Sequence, residues 1–488
     1  MARIIHIRGT VFALAILLCA GIARGEIHAL LVGGGPDRQN NTAQIEEHLR
    51  FVASLVPASP GRVILFADGK ANSRDLTYTD NAHLSAGQRA LDILLPNDGL
   101  GAKMMTRPAV IGATLDGPAR LGAIDRAFSR LAALSQQSGP PVLLYFAGHG
   151  SVAHDKNKDS VYNLWNDENL DPETLVREIN TLPSHVPVTL VMAQCFSGGF
   201  GDVIFRNANL DLPLNNHPVA GFFAAESDRE AAGCGTDTNS PLYQDFSSYF
   251  FGALSGRDKL GHVVTGADYD GDGRVSCHEA YCYAMIHDQS IDTPVCTTLV
   301  FLRKYADIPD SSIYVTPWKT VLDGADPAQK AALEALSEKL GLDGDQRLLD
   351  AYDRLMFRDP VAQSAELRNY RDAQDRLNEV RMQSLHNLFT RWPALRWRDS
   401  GDYDKATRGA EADLGKDTAK CQEIIDSSDS FDRADTALDV QESMLVRFTD
   451  LAEAIVRGQY LHHHAEGAIK AQFEALSRAE NQPLEPLK

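Results

Sequence analysis

Two short apolar runs constrain this chain most, because each ends in small residues followed by one reactive side chain. The first, Val142-Leu-Leu-Tyr-Phe146, leads through Ala147-Gly148 to His149-Gly150-Ser151. The second, Val188-Thr-Leu-Val-Met192, leads through Ala193-Gln194 to Cys195-Phe196-Ser197-Gly198-Gly199. Runs of this length, rich in Val and Leu, read as strands covered on both faces, as in a parallel sheet. Reactive groups in open α/β sheets gather just beyond the carboxyl ends of such strands. The two runs therefore predict a histidine and a cysteine at one sheet edge.

The surrounding pattern agrees. Ile27–Val32, Val63–Phe66 and Val219–Ala224 read as further strands, and 44–55, 119–134, 243–254 and 277–286 as helices. Alternating strands and helices imply right-handed crossovers and a mostly parallel sheet sandwiched by helices. The stretch from Gly69 to Asp116 is polar and weakly patterned, and reads as a long loop lining the site. After about Pro317 strand-like runs vanish. Asp326-Pro327 reads as a helix cap with proline in the first turn. Tyr370, Ala373, Leu377 and Val380 form an apolar stripe at helical spacing, as do Met444, Phe448, Leu451 and Ile455. The expected organisation is an α/β domain over 26–315 and a separate all-α domain over 316–488.

The first 25 residues read as a signal peptide: Arg3 and Arg8, an apolar stretch from Thr10 to Ala20, then Ala23-Arg24-Gly25 before Glu26. That predicts export to the periplasm or medium, with no stable membrane insertion once the signal is removed. A chain of 488 residues has room for two or three cores, and 44% hydrophobic with 23% charged residues is an ordinary globular balance. The net charge of −19 argues against nucleic acid as a partner, since phosphates need a basic surface. Disulfides can form in an exported chain, and Cys234 with Cys296 are favoured for one because both lie in loop-like sequence. No phosphate-binding loop or dinucleotide fingerprint is present, so no organic cofactor is expected; Gly33-Gly34-Gly35 lacks the required spacing.

A thiolate is a nucleophile at neutral pH when a neighbour takes its proton, and His149 is the base that strand logic supplies to Cys195. Gly150 and the Gly198-Gly199 pair leave room for a polypeptide backbone. The amides of Gly150 and Cys195 are free to face a developing oxyanion, where such donors lower a barrier by about 3 kcal/mol each.

At these residues the chain resembles the caspase-like cysteine peptidases, and within them the legumain family, as a bacterial-type exported member. The resemblance runs from about Ile27 to Arg303. It rests on Leu143-Leu-Tyr-Phe-Ala-Gly-His-Gly-Ser151 and Ala193-Gln-Cys-Phe-Ser-Gly198, supported by Leu164-Trp-Asn-Asp-Glu-Asn-Leu170 and Phe223-Ala-Ala-Glu-Ser-Asp-Arg-Glu-Ala-Ala-Gly-Cys234. It implies an endopeptidase acting on protein or peptide substrates through a Cys195–His149 dyad and an acyl-enzyme. It also implies an asparagine whose side-chain carbonyl orients the histidine, at Asn40 with Asn41 as the fallback. The family's specificity residues are replaced: Thr42 stands for an arginine, Ala193 for an acid, and Glu230 and Ala231 for paired serines. Arg38 would select an acidic side chain; Glu226, Asp228 or Glu230, which are favoured, a basic one. By analogy with legumain the helical region caps the site until cut. The competing expectation is a catalytically idle calcium-binding scaffold whose helical part binds a protein.

Within the α/β region, Asp268-Tyr-Asp-Gly-Asp-Gly-Arg-Val-Ser-Cys-His-Glu279 follows the EF-hand pattern over 268–279. Asp268, Asp270, Asp272, the Arg274 carbonyl, Ser276 through water and a bidentate Glu279 are the expected ligands of a structural calcium ion. His462-His463-His464 is not a metal site, because consecutive helical residues point in different directions.

Overall fold

The strands that carry the two motifs lie side by side at the centre of one sheet. In the computed structural model, residues 26–80, 84–96, 103–136, 139–152, 160–238, 245–357 and 365–487 are described. The expected signal peptide lies outside them. The sheet strands are β1 (His28–Gly34), β2 (Arg62–Phe66), β5 (Val142–Val152), β8 (Val188–Met192), β9 (Val219–Phe223) and β10 (Val295–Cys296), in the order β2-β1-β5-β8-β9-β10. All pair in parallel except β10, which runs antiparallel to β9 at the edge. The short β3 (Leu76–Asp80) and β4 (Lys103–Arg107) form a separate antiparallel pair. β6 (Ser160–Leu164) and β7 (Glu168–Leu170) continue from the end of β5.

Alternate residues of each strand serve opposite faces. Leu31, Tyr145, Val191 and Phe222 join one buried cluster, which also takes in α1 (Ala43–Leu55), α5 (Phe246–Ser255) and α6 (Cys277–His287). Val32, Phe146, Met192 and Phe223 join another, with α3 (Leu121–Leu134) and α4 (Pro172–Ile179). Each fully buried Leu or Phe stabilises the fold by roughly 1.5–3 kcal/mol before entropy is counted. This is the α/β architecture expected from the two motif strands.

Two expectations are corrected. The stretch 69–116 is not one loop: it contains β3, β4 and α2 (Ala86–Leu94), whose N-terminus is closed by a Ser85–Gln88 capping box. The apolar face of α2 (Ala90, Leu91, Leu94) is buried against partners more than 280 residues away, such as Val380 and Ile424. Local patterning could not reveal those partners.

The helical region, with α7 (Thr297–Tyr305) leading into it, comprises α8 (Asp310–Tyr314), α9 (Trp318–Gly324), α10 (Pro327–Lys339), α11 (Arg347–Phe357), α12 (Ala365–Arg391), α13 (Tyr403–Leu414), α14 (Thr418–His464) and α15 (Ala468–Glu480). Its core is not separate. Val321, Leu333, Phe448 and Leu451 belong to the same buried cluster as Tyr281 and Met285 of α6. The reason is α14, 47 residues long, which starts among α2, α12 and α13 and ends packed against the α/β layer. Asp326 caps α10 as expected, with Gln329 completing the box. Trp392 fills the space over Gly409 and donates to Asp413 at 3.0 Å, making a packed helix junction.

Candidate active site and metal loop

Parallel pairing of β5 with β8 ends at Phe146↔Met192. His149 and Cys195 each lie three residues beyond that last pair (146 to 149, and 192 to 195), so both leave the sheet at one edge. β5 continues outward, and His149 and Gly150 pair antiparallel with Asn163 and Tyr162 of β6. Cys195 enters a tight turn in which Phe196 has left-handed backbone angles (φ 59°, ψ 20°). Such a conformation in a non-glycine residue is held by its surroundings, and clusters at functional turns. Here Phe196 N–H donates to the Arg229 carbonyl at 2.8 Å, and the Phe196 carbonyl accepts from Ser160 Oγ.

Gly150 fixes how closely the two ends approach. A Cβ added there would fall 2.1 Å from the Cys195 carbonyl oxygen. Only glycine leaves that space empty. The neighbouring groups are half-buried rather than sealed, for both His149 and Cys195.

His149 Nε2 lies 2.8 Å from the main-chain carbonyl oxygen of Asn40. A carbonyl can only accept, so Nε2 carries the hydrogen and Nδ1 keeps the lone pair in the neutral ring. The expected role of the Asn40 side chain is corrected: its amide donates to Asp37 Oδ2 at 2.9 Å instead. Asp37 also accepts the N–H groups of Gln39 and Asn40, at 2.7 and 3.0 Å, and so shapes the turn that presents the carbonyl. Asn41, the fallback, is buried and donates to the Asp75 carbonyl. Burial lowers the His149 pKa below the usual imidazole value, against the Asn40 carbonyl and the Asp37 charge. Burial raises that of Cys195, helped by the charges of Glu230 and Asp292 and opposed by the Ala231 N–H. Both shifts favour the neutral forms, the imidazole of His149 and the thiol of Cys195.

The thiol rests on the segment after β9. Ala231 N–H donates to Cys195 Sγ at 3.3 Å, and Sγ lies 3.6 Å from the Ala231 carbonyl oxygen. Of the selectivity candidates, Arg38, Asp228 and Glu230 are exposed. Glu226 is occupied by Arg303 at 2.8 Å, and Arg303 also holds Asp450 and Glu453 of α14. Arg229 pairs with Glu442 of α14 at 3.3 Å. Thr42 Oγ1 donates to the Cys234 carbonyl at 3.1 Å, tying the turn before α1 to the same segment. The contacts of Asp37, Ala231, Asp292 and α14 were not anticipated from sequence. Only the Asp37-x-x-Asn40 turn left a local trace, as an aspartate able to accept from the backbone two and three residues on.

All six cysteines among the described residues are free thiols, which corrects the favoured Cys234–Cys296 pair. Cys234 Sγ donates to the Gly148 carbonyl at 3.1 Å, and Cys296 sits in β10 beside Thr298 Oγ1. Cys234 lies in the loop after β9, whereas Cys296 belongs to the edge strand β10.

In the 268–279 loop, carboxylate oxygens of Asp268, Asp270 and Glu279 all lie within 4.8 Å of one another. Asp268 accepts from the N–H groups of Gly271 and Gly273, Asp270 from Asp272, and Asp272 from Arg274. Gly271 and Gly273 have φ of 76° and 88°, which the tight turn requires. Glu279 accepts from the Tyr269 and Ser276 amides and closes the capping box of α6 with Ser276. Hard carboxylate oxygens on a preformed turn suit Ca²⁺, with its preference for six to eight oxygen ligands. Asp272 is outside the three-carboxylate group, Ser276 is the cap of α6, and the segment before the loop is not helical. Arg274 joins Glu485 at 3.1 Å, and Cys277 N–H donates to the Gln482 carbonyl, so the loop is tied to the chain's end. His462, His463 and His464 are exposed at the end of α14. Among the described residues no helix is long and apolar enough to cross a membrane.

No family model matches this chain, and no curated protein matches it. Among solved structures it is similar to a protein from Geobacter sulfurreducens, at 14% identity and a TM-score of 0.29, over 56% of this chain and 92% of that one. It is also similar to a secreted C11 cysteine protease from Bacteroides thetaiotaomicron, solved with an irreversible peptide inhibitor. That likeness has 11% identity and a TM-score of 0.23, over 43% of this chain and 51% of that one.

Proposed function

We propose that this chain is an exported, caspase-like cysteine endopeptidase with Cys195 as nucleophile and His149 as general base, then acid. The observation that carries the reading is the equal three-residue overhang of His149 and Cys195 beyond the last β5–β8 pair. With Nε2 hydrogen-bonded to Asn40, Nδ1 is the nitrogen that takes the thiol proton as sulfur attacks the substrate carbonyl. The Gly150 and Cys195 amides stabilise the oxyanion. Collapse breaks the C–N bond, and the imidazolium gives its proton to the leaving amine. A water deprotonated by His149 then hydrolyses the thioester. Glu230, exposed and acting electrostatically on Cys195, favours a basic side chain next to the scissile bond. Calcium at Asp268, Asp270 and Glu279 would supply only rigidity, holding the start of α6; the chemistry does not pass through it.

The test is Cys195→Ala. The variant should lose all peptide cleavage and all labelling by a peptidyl acyloxymethyl ketone. Equal labelling of the two proteins overturns the reading.

A further inference from the structure

The wall behind Cys195 is held from the far end of the chain. Ala231 gives its N–H to Cys195 Sγ, and the next residue, Ala232, gives its N–H to Asp292 Oδ1 at 2.7 Å. The other oxygen of Asp292 accepts from Phe246 N–H at 2.8 Å, at the start of α5. Asp292 is completely buried. Its loop is gripped in turn by Arg447 of α14, whose guanidinium donates to the carbonyls of Asp288, Ser290 and Asp292 at 2.6, 2.8 and 2.7 Å. Arg447 is also fully buried, 3.4 Å from the Asp288 carboxylate, and Ser443 one turn earlier donates to the Ile291 carbonyl at 3.0 Å.

A buried arginine is a costly way to fill space, since apolar side chains of similar volume often stabilise as well or better. What a guanidinium adds is a rigid fork of donors that fixes the positions of the groups it binds. Here it fixes a loop in which the Asp292 carboxylate holds the segment lying on the sulfur. The contacts run without a gap from α14 to the nucleophile.

We propose that Asp292 and Arg447 are positioning residues for Cys195, so that the helical region completes the active-site wall through loop 288–292. This rests on Cys195 being the nucleophile. It adds that α14 is part of the working enzyme and not only a removable cap.

The full-length protein is tested by kcat per active site, with sites counted by stoichiometric labelling with the peptidyl ketone. A residue that only stabilises the fold changes the number of active sites and leaves kcat per site alone. Asp292→Asn keeps the volume and one acceptor oxygen, and should lower kcat per site about tenfold with KM within about twofold. Asp292→Ala removes both acceptors and should lower it about a hundredfold. Arg447→Lys keeps the charge without the fork and should resemble Asp292→Asn. Ser443→Ala, which removes one donor to the same loop, replaces any variant that fails to fold and should lose about threefold. Wild-type kcat per site in the folded variants overturns the proposal. Failure of the peptidase reading is seen separately, as cleavage that survives in Cys195→Ala.

Discussion

The imidazole Nε2 of His149 is hydrogen-bonded to the backbone carbonyl of Asn40, not to its side chain. The imidazole is therefore oriented by the shape of a turn, and that shape depends on Asp37.

This separates two substitutions in one turn. Asn40→Ala leaves the carbonyl in place and should keep kcat within about threefold. Asp37→Ala removes the acceptor of two backbone amides and a side-chain amide, and should lower kcat about tenfold or more. Steady-state kinetics on a fluorogenic peptide checks the order. Equal effects, or the reverse order, would show that the side chain does the orienting.

The pH profile follows from the pair's shifts. Burial lowers the His149 pKa, so the imidazole stays neutral and basic below its usual range near 6.5. The acid limb of kcat/KM should therefore have its midpoint below about 6.5. The Cys195 thiol is raised, so its carboxymethylation in the absence of substrate should keep accelerating into alkaline pH. Iodoacetate alkylation followed by peptide mass spectrometry reads this site directly. A fast, pH-independent reaction near neutrality would show a preformed thiolate–imidazolium pair instead.

Gly150→Ala places a methyl group where the Cys195 carbonyl oxygen already sits. Relief requires β5 and the Cys195 turn to move apart. The expected result is loss of about a hundredfold or more in kcat/KM, with a stability loss of only about 1–3 kcal/mol, as for other overpacked sites. Thermal unfolding and kinetics on the same preparation test it.

Calcium binding at 268–279 should stabilise without switching activity. At a free concentration about 100-fold above Kd, a single native-state site adds about 2.7 kcal/mol, a rise of several degrees in Tm. Asp270→Ala should abolish that rise, and a chelator should leave kcat at 25 °C unchanged. A chelator that stops cleavage while the protein stays folded would make the ion regulatory.

The parts legible in the sequence were those set by local chemistry. Val142–Phe146 and Val188–Met192 are apolar enough to specify buried strands, and the small residues after them mark where the chain leaves the sheet. The Asp326-Pro327 cap and the loop from Asp268 to Glu279 are likewise written in consecutive residues. Elements that depend on distant partners were not legible. The helix α2 is short, and its apolar face makes sense only against Val380 and Ile424. Asp292 carries no local sequence signature, although two backbone amides donate to its carboxylate and Arg447 donates to its carbonyl.

By itself the sequence determined the strands β1, β2, β5, β8 and β9 and marked the two candidate reactive residues and the turn-rich loop at 268–279, because hydrophobic periodicity and turn chemistry act over a few residues. Only the tertiary structure decided that a backbone carbonyl orients His149, that the thiols among the described residues stay unpaired, and that α14 shares one core with the sheet. Those outcomes depend on which distant surfaces meet, and burial and hydrogen-bond satisfaction select them only when the whole chain folds together.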